Sequence, residues 1–182
     1  MTSQPATADR PAPAIVVMGV SGSGKTTVGE ALGARFRVPL LEGDQFHPEA
    51  NIAKMSSGTP LTDEDRWPWL DAIAAAMRDA PDGVVVTCSS LRRAYRDRLR
   101  EGPCRPVLFV YLNGSRETLA GRLAARKGHF MPASLLDSQL ATLEPPTPDE
   151  PGIVPVSLEP PVEVVVATAI DGVAAQIGIP GR

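Results

Sequence analysis

Residues 19–26 read Gly-Val-Ser-Gly-Ser-Gly-Lys-Thr, directly after the apolar run Ala14-Ile15-Val16-Val17-Met18. This is a phosphate-binding loop of the form G-x-x-x-x-G-K-[ST] at the end of a strand. Gly19, Gly22 and Gly24 have no Cβ to stop their backbone N–H groups turning inward. Those groups then meet phosphate oxygens at the positive end of the following helix. Lys25 has the reach for the β- and γ-phosphates, and the Thr26 hydroxyl suits Mg²⁺. The helix-forming stretch 28–36 completes the strand–loop–helix context. The loop commits the chain to a βα unit and points to a bound nucleoside triphosphate.

The rest of the composition narrows the class. A length of 182 residues fits one domain with a sizeable core, and 43% hydrophobic residues suit a soluble globular protein. A net charge of −3 gives no generic attraction to nucleic acid or to an anionic membrane. Residues 1–13, rich in Pro, Ala and Thr, contain no apolar h-region and read as a disordered leader rather than a secretory signal. No apolar run approaches the length of a membrane span. The two cysteines, Cys88 and Cys104, have no metal-type spacing. Cys88 lies in an apolar run and reads as a buried reduced thiol, so a cytoplasmic location is expected.

Strands alternate with helices along the chain. Strands are expected at about 14–18, 39–42, 83–88, 106–112 and 153–158, the second read as buried and the last confined to an edge by proline. Helices are expected at about 25–36, 48–56, 62–78, 91–100, 115–127, 132–143 and 162–177, with Thr62 as the N-cap of the third. Such alternation argues for a parallel sheet covered on both faces. The fold class is α/β, in one domain spanning 14–182.

Ligands of a parallel sheet bind at the carboxyl ends of its strands. After the second strand comes Glu42-Gly43-Asp44-Gln45-Phe46-His47, which puts Asp44 across the cleft from the phosphate loop, placed to accept a proton from a hydroxyl. The alternative for Asp44 is a helix cap or turn former. After the third strand comes Ser89-Ser90-Leu91-Arg92-Arg93, without the aspartate that often helps hold Mg²⁺. Asp44 or Glu42 would assist Thr26 with the metal, through water. Arg122 and Arg126 share a helix face just before Lys127-Gly128-His129; they could meet adenine and the transferring phosphoryl group, or form a solvated face with Glu117 or Glu30. Gly128 and Pro132 bracket that segment as lid hinges. Arg66 could clamp a carboxylate or join a surface ion pair. Trp67 and Trp69 read as packing residues, and the run Arg92, Arg93, Arg96, Arg98, Arg100 as a mostly solvated face with Arg92 the exception. His47 and His129 have no metal-ligand spacing and suit hydrogen bonding.

Taken together, these segments resemble the small bacterial-type gluconate kinases, relatives of shikimate and adenylate kinases. The matching stretches are 17–26, Leu41-Glu42-Gly43-Asp44-Gln45-Phe46-His47-Pro48, Asn51-Ile52-Ala53-Lys54-Met55 and 60–70. Further on come Tyr95-Arg96-Asp97, Arg126-Lys127-Gly128-His129-Phe130-Met131-Pro132, Leu135-Leu136-Asp137-Ser138-Gln139 and Leu143-Glu144-Pro145-Pro146. The family commonly shows Cys-Ser-Ala-Leu-Lys where this chain has Cys88-Ser89-Ser90-Leu91-Arg92. Arginine keeps the charge there but changes the geometry.

The resemblance implies a three-layer α/β/α P-loop kinase fold with strand order 2-3-1-4-5, a mobile lid over about 126–136, and a homodimer. It implies ATP-dependent phosphorylation of the terminal hydroxyl of D-gluconate to 6-phospho-D-gluconate, with Mg²⁺. The expected catalytic residues are Lys25, Asp44 and Arg126. The expected ATP site is Gly19, Val20, Ser21, Gly22, Ser23, Gly24, Lys25, Thr26, Thr27, Arg122 and Arg126. Asp44, His47, Lys54, Arg66, Arg92 and His129 are the candidates for gluconate. Two rivals stand beside this reading: a kinase for shikimate or a nucleoside monophosphate, and a GTP-dependent switch whose D-x-x-G would be Asp149-Glu150-Pro151-Gly152.

Overall fold

The computed structural model describes residues 13–125 and 133–178. Strands β1 (Ala14–Met18), β2 (Leu40–Glu42), β3 (Val84–Thr87), β4 (Val107–Asn113) and β5 (Ile153–Ser157) form one sheet. The strands are all parallel, in the order β2-β3-β1-β4-β5. Helices α1 (Lys25–Phe36), α2 (Glu49–Ser56), α3 (Asp63–Arg78), α4 (Arg93–Arg100), α5 (Arg116–Ala125), α6 (Ala133–Thr142) and α7 (Val162–Gln176) connect and cover them.

Every residue of β1 is fully buried. Successive side chains of a strand point to opposite faces, so complete burial means that helices cover both sides. Helix α1 packs with α7, and α3 with α4, giving the three-layer α/β/α arrangement. The core runs through β1, β3 and β4 into Leu32, Leu70, Ile73, Leu99, Val165 and Val173.

One expectation about the sheet changes and one holds. Strand β2 is outermost, as the expected order implies, but all three of its residues are only half-buried rather than buried. Strand β5 does take the other edge, where Pro155 is exposed and its missing N–H costs no ladder bond.

Local signals explain most helix ends. Thr62 accepts from the Asp65 N–H while the Asp65 side chain accepts from the Thr62 N–H, a reciprocal capping box. Helix α4 begins at Arg93 rather than at Leu91. Arg92 is extended (φ −105°), and the Arg93 N–H is taken by Glu144 Oε2 at 2.8 Å, so the orphan donor is satisfied from a distant segment. Of the span expected as a lid, 126–132 lies outside the described residues, and 133–136 opens α6 with Leu135 and Leu136 buried.

Candidate active site

The loop between β1 and α1 has the backbone its glycines allow: Gly19, Gly22 and Gly24 have φ of 146°, 81° and 86°. Gly24 is the N-cap of α1, so the helix's first N–H groups open into the loop. A Cβ on Gly22 would stand 2.7 Å from Leu123 Cγ, so α5 closes the outer side of the loop. Lys25 Nζ donates to the carbonyls of Gly19 and Val20, at 3.1 Å each, and so lies along the loop. Val20 and Ser23 are buried beneath the loop, Ser21 and Thr26 are half-buried, and Thr27 is exposed on the first turn of α1. Arg122 sits beside the same loop, its Nη1 3.7 Å from where a Gly24 Cβ would be, and its Nη2 donates to the Leu158 carbonyl at 2.8 Å.

Beyond β2 the chain makes a tight turn, Gly43–Phe46. A Cβ on Gly43 would lie 1.9 Å from the Thr87 carbonyl oxygen, so only glycine lets this turn press on β3. Thr87 Oγ1 accepts from the Gly43 N–H at 3.1 Å and donates to Glu42 Oε2 at 2.6 Å. Trp69 Nε1 donates to the Gly43 carbonyl at 2.7 Å from the other side. The turn is thereby fixed on three sides and presents Asp44, exposed, at the carboxyl edge of the sheet.

One cleft gathers the pieces. Lys25 and Ser21 line it from the phosphate loop, Asp44 and His47 from the turn, Arg66 and Trp69 from α3, and Ser89 and Leu91 from the β3–α4 loop. Leu135, Ser138 and Gln139 close it from α6. His47 stacks on Trp69 with ring centroids 4.2 Å apart, and its Nδ1 meets Asn51 Nδ2 at 3.3 Å. Burial pushes the His47 pKa below its ordinary value; Asp44 opposes that shift and the Arg66 charge adds to it. Arg66 Nη1 donates to the Tyr95 hydroxyl at 3.1 Å, and that hydroxyl donates to Asp63 Oδ1.

The remaining expected residues are placed differently. Lys54 Nζ meets both oxygens of Asp65 at 2.7 Å, and Arg92 Nη1 meets Asp63 Oδ2 at 2.8 Å. Neither is among the described residues lining the cleft. Both acids belong to the first turn of α3, where they also serve the helix dipole. Lys54 and the Thr62 cap hold the Asp65 carboxyl below the usual range. Arg126, Lys127 and His129 lie outside the described residues. No cluster of three His, Cys, Asp or Glu side chains that could hold a metal occurs among the described residues. A hydroxyl, Thr26, and the carboxylates Asp44 and Glu42 are the oxygen groups this edge offers a Mg²⁺ ion, a set that suits an ion whose other ligands are phosphate and water.

Two features were not legible beforehand. The arginine run on α4 is not uniformly solvated: Arg96 is fully buried, forked onto both oxygens of Glu150 at 2.7 and 2.6 Å. Its Nη1 also donates to the carbonyls of Ser90 and Glu144 at 3.1 Å, so it ties the β3–α4 loop to the Pro-rich connection. Glu150 is the second residue of the D-x-x-G match, and its carboxylate serves the fold through Arg96. That match precedes β5, at the amino edge of the sheet, whereas the phosphate loop follows β1 at the carboxyl edge. The second feature is Gln139, whose Oε1 accepts from the Ser21 N–H at 2.7 Å.

Comparison with known proteins agrees with this geometry. The family model described as AAA domain matches residues 15–146. A gluconokinase of Gluconobacter oxydans (strain 621H) is 52% identical over 159 residues, covering 86% of this chain and 88% of that protein. The thermoresistant gluconokinase of Escherichia coli (strain K12) is 44% identical over 160 residues, covering 86% and 90%. The crystal structure of a gluconokinase from Sinorhizobium meliloti 1021 superposes with a TM-score of 0.86 at 49% identity, covering 93% of this chain and 96% of that one. With the phosphate loop, the strand order and these likenesses in agreement along most of its length, the chain belongs to the gluconokinase family of P-loop kinases.

Proposed function

We propose that the protein transfers the γ-phosphoryl group of ATP to the terminal hydroxyl of D-gluconate, giving 6-phospho-D-gluconate and ADP. The observation that carries the reading is the single cleft holding Lys25, Asp44 and Arg66 together. A cation for the triphosphate, a proton acceptor and a cation for the acceptor's carboxylate are three functions that phosphorylation of a hydroxy acid by ATP needs.

The loop N–H groups and Lys25 hold the triphosphate and offset the charge spreading over its outer oxygens. Mg²⁺ held at Thr26 would supply further charge neutralisation to the phosphates. Asp44 orients the acceptor hydroxyl and takes its proton as the oxygen bonds to the γ-phosphorus; the bond from that phosphorus to the β-phosphate oxygen breaks, and ADP leaves. Arg66, held by Tyr95, is the cation aimed into the cleft and suits the carboxylate end of gluconate. His47, kept neutral by burial, offers a ring nitrogen to a sugar hydroxyl. Lys54 and Arg92 would reach the acceptor only by leaving Asp65 and Asp63. In this reading Arg122 serves the nucleotide, Arg126 with Lys127 the γ-phosphoryl group, and His129 the acceptor, the last three lying outside the described residues. A homodimer in the cytoplasm belongs to the same reading; no helix among the described residues is long and apolar enough to cross a membrane.

A coupled ADP-release assay across acceptors tests the reading. Turnover with gluconate should exceed that with shikimate or any nucleoside monophosphate by orders of magnitude. Faster turnover on either rival acceptor overturns it, as does strong GTP preference without phosphorylation of any acceptor.

A further inference from the structure

Helix α6 lines with Gln139 the same cleft that holds Asp44. The Gln139 amide is oriented by its partner: the Ser21 N–H can only donate, so the atom 2.7 Å from it is the oxygen. That fixes the other end of the amide. Nε2, with two N–H donors, makes no hydrogen bond among the described residues, although Gln139 lines the cleft. Of the charged groups lining the same cleft, Lys25 and Arg66 are donors only, and the Asp44 carboxylate is the group assigned to the reacting hydroxyl. A polyol acceptor brings oxygens that can accept, and an amide fixed on the phosphate loop is suited to read one of them.

We propose that Gln139 is a specificity-determining residue for the acceptor: Nε2 donates to a hydroxyl of the sugar acid while Oε1 stays on the Ser21 N–H. The acceptor is thereby registered against the loop that holds the phosphate, by a side chain 118 residues further along the chain. The arrangement favours a hydroxyl-bearing acceptor over an apolar one of equal size, because an unmet amide donor in the closed cleft is costly. This assignment rests on the gluconate reading above.

The test is a set of steady-state measurements on wild type, Gln139→Ala and Gln139→Glu with gluconate and a panel of monodeoxygluconates. Gln139→Ala should raise KM for gluconate about tenfold and leave KM for ATP within about twofold. Gln139→Glu still accepts from the Ser21 N–H but has no donor, so KM for gluconate should remain raised to a similar extent. With one monodeoxygluconate, wild type should lose about tenfold while Gln139→Ala loses nothing further relative to its value on gluconate. A residue that only props the loop gives the opposite pattern: Gln139→Glu restores the gluconate KM, and every deoxy acceptor is penalised equally in wild type and Gln139→Ala. Either of those results overturns the proposal. Should Gln139→Ala not fold, the Gln139→Glu comparison decides by itself. Failure of wild type to phosphorylate gluconate at all would instead sink the underlying reading, so the two failures are distinct.

Discussion

The phosphate loop, marked by glycine, and the connection between α6 and β5, marked by proline, do opposite work. The loop at 19–24 ties the Gly19, Ser21 and Ser23 N–H groups to Ser89, Gln139 and Val20 and leads into the first N–H groups of α1, with Lys25 lying along its carbonyls. The connection turns its polar group inward: Glu150 is buried and closes a fork with Arg96, whose remaining donors reach Ser90 and Glu144. One is built to gain its partner from solution. The other carries its partner within the fold and positions the β3–α4 loop, and with it Ser89 and Leu91 of the cleft. The lesson is that charge near an active site divides into groups that act on ligand and groups that hold the walls.

Replacing one member from each region should separate the two roles most sharply. Lys25→Ala is expected to lower kcat by about a thousandfold, with the urea unfolding midpoint unmoved, because the side chain neutralises phosphate rather than supports the core. Retention of near wild-type turnover would remove the distinction. Asp44→Asn should lower kcat by about a hundredfold with little change in KM for ATP, as expected for loss of a proton acceptor. An equal rise in KM for ATP would make Asp44 a metal or structural group instead.

Glu150→Ala should show the reverse behaviour. It leaves the Arg96 guanidinium buried without its carboxylate, at a cost of about 3–5 kcal/mol in unfolding free energy, while turnover per folded molecule changes by less than about threefold. The double variant Arg96→Met, Glu150→Leu should recover much of the lost stability, since no buried charge is stranded. If the double variant is as unstable as the single one, the pair contributes more than mutual neutralisation.

A smaller effect comes from His47. Its folded-state pKa lies below the ordinary value of 6.5, so as pH falls the unfolded chain takes up the proton first. This part of the stability is fully present above the ordinary value and declines as pH drops through it towards the folded pKa. Between about pH 7.5 and about pH 5.5, wild type should therefore lose more stability than His47→Gln. Equal losses would mean that the ring gains a proton as easily in the fold as outside it. The smallest expected effect is chemical: burial pushes the Cys88 thiol up to about 11, so a thiol reagent at neutral pH should label exposed Cys104 and spare Cys88 until denaturant is added.

Much of the fold was readable along the chain because its signals are local. The β-branched runs of β1, β3 and β4, the Thr62 cap and the glycine spacing of the phosphate loop each act within a few residues. Trp69 was read as a packing residue and is one, buried between His47 and the Gly43 turn. The half-buried state of β2 was missed, although the expected strand order put it at an edge, because a short apolar run has the same appearance at an edge as in a centre.

What the sequence by itself determined is the nucleotide end: a strand, a glycine-rich turn and a helix start, whose anion-binding property is written in consecutive residues. Only the tertiary structure decided the acceptor end. Which arginine faces the cleft and which is spent on an acid depends on partners far apart in the chain, 54 residues for Arg96 and Glu150 and 29 for Arg92 and Asp63. Charges and amides carry no periodic signature of their own; their roles are fixed by what the fold places within about 3 Å of them.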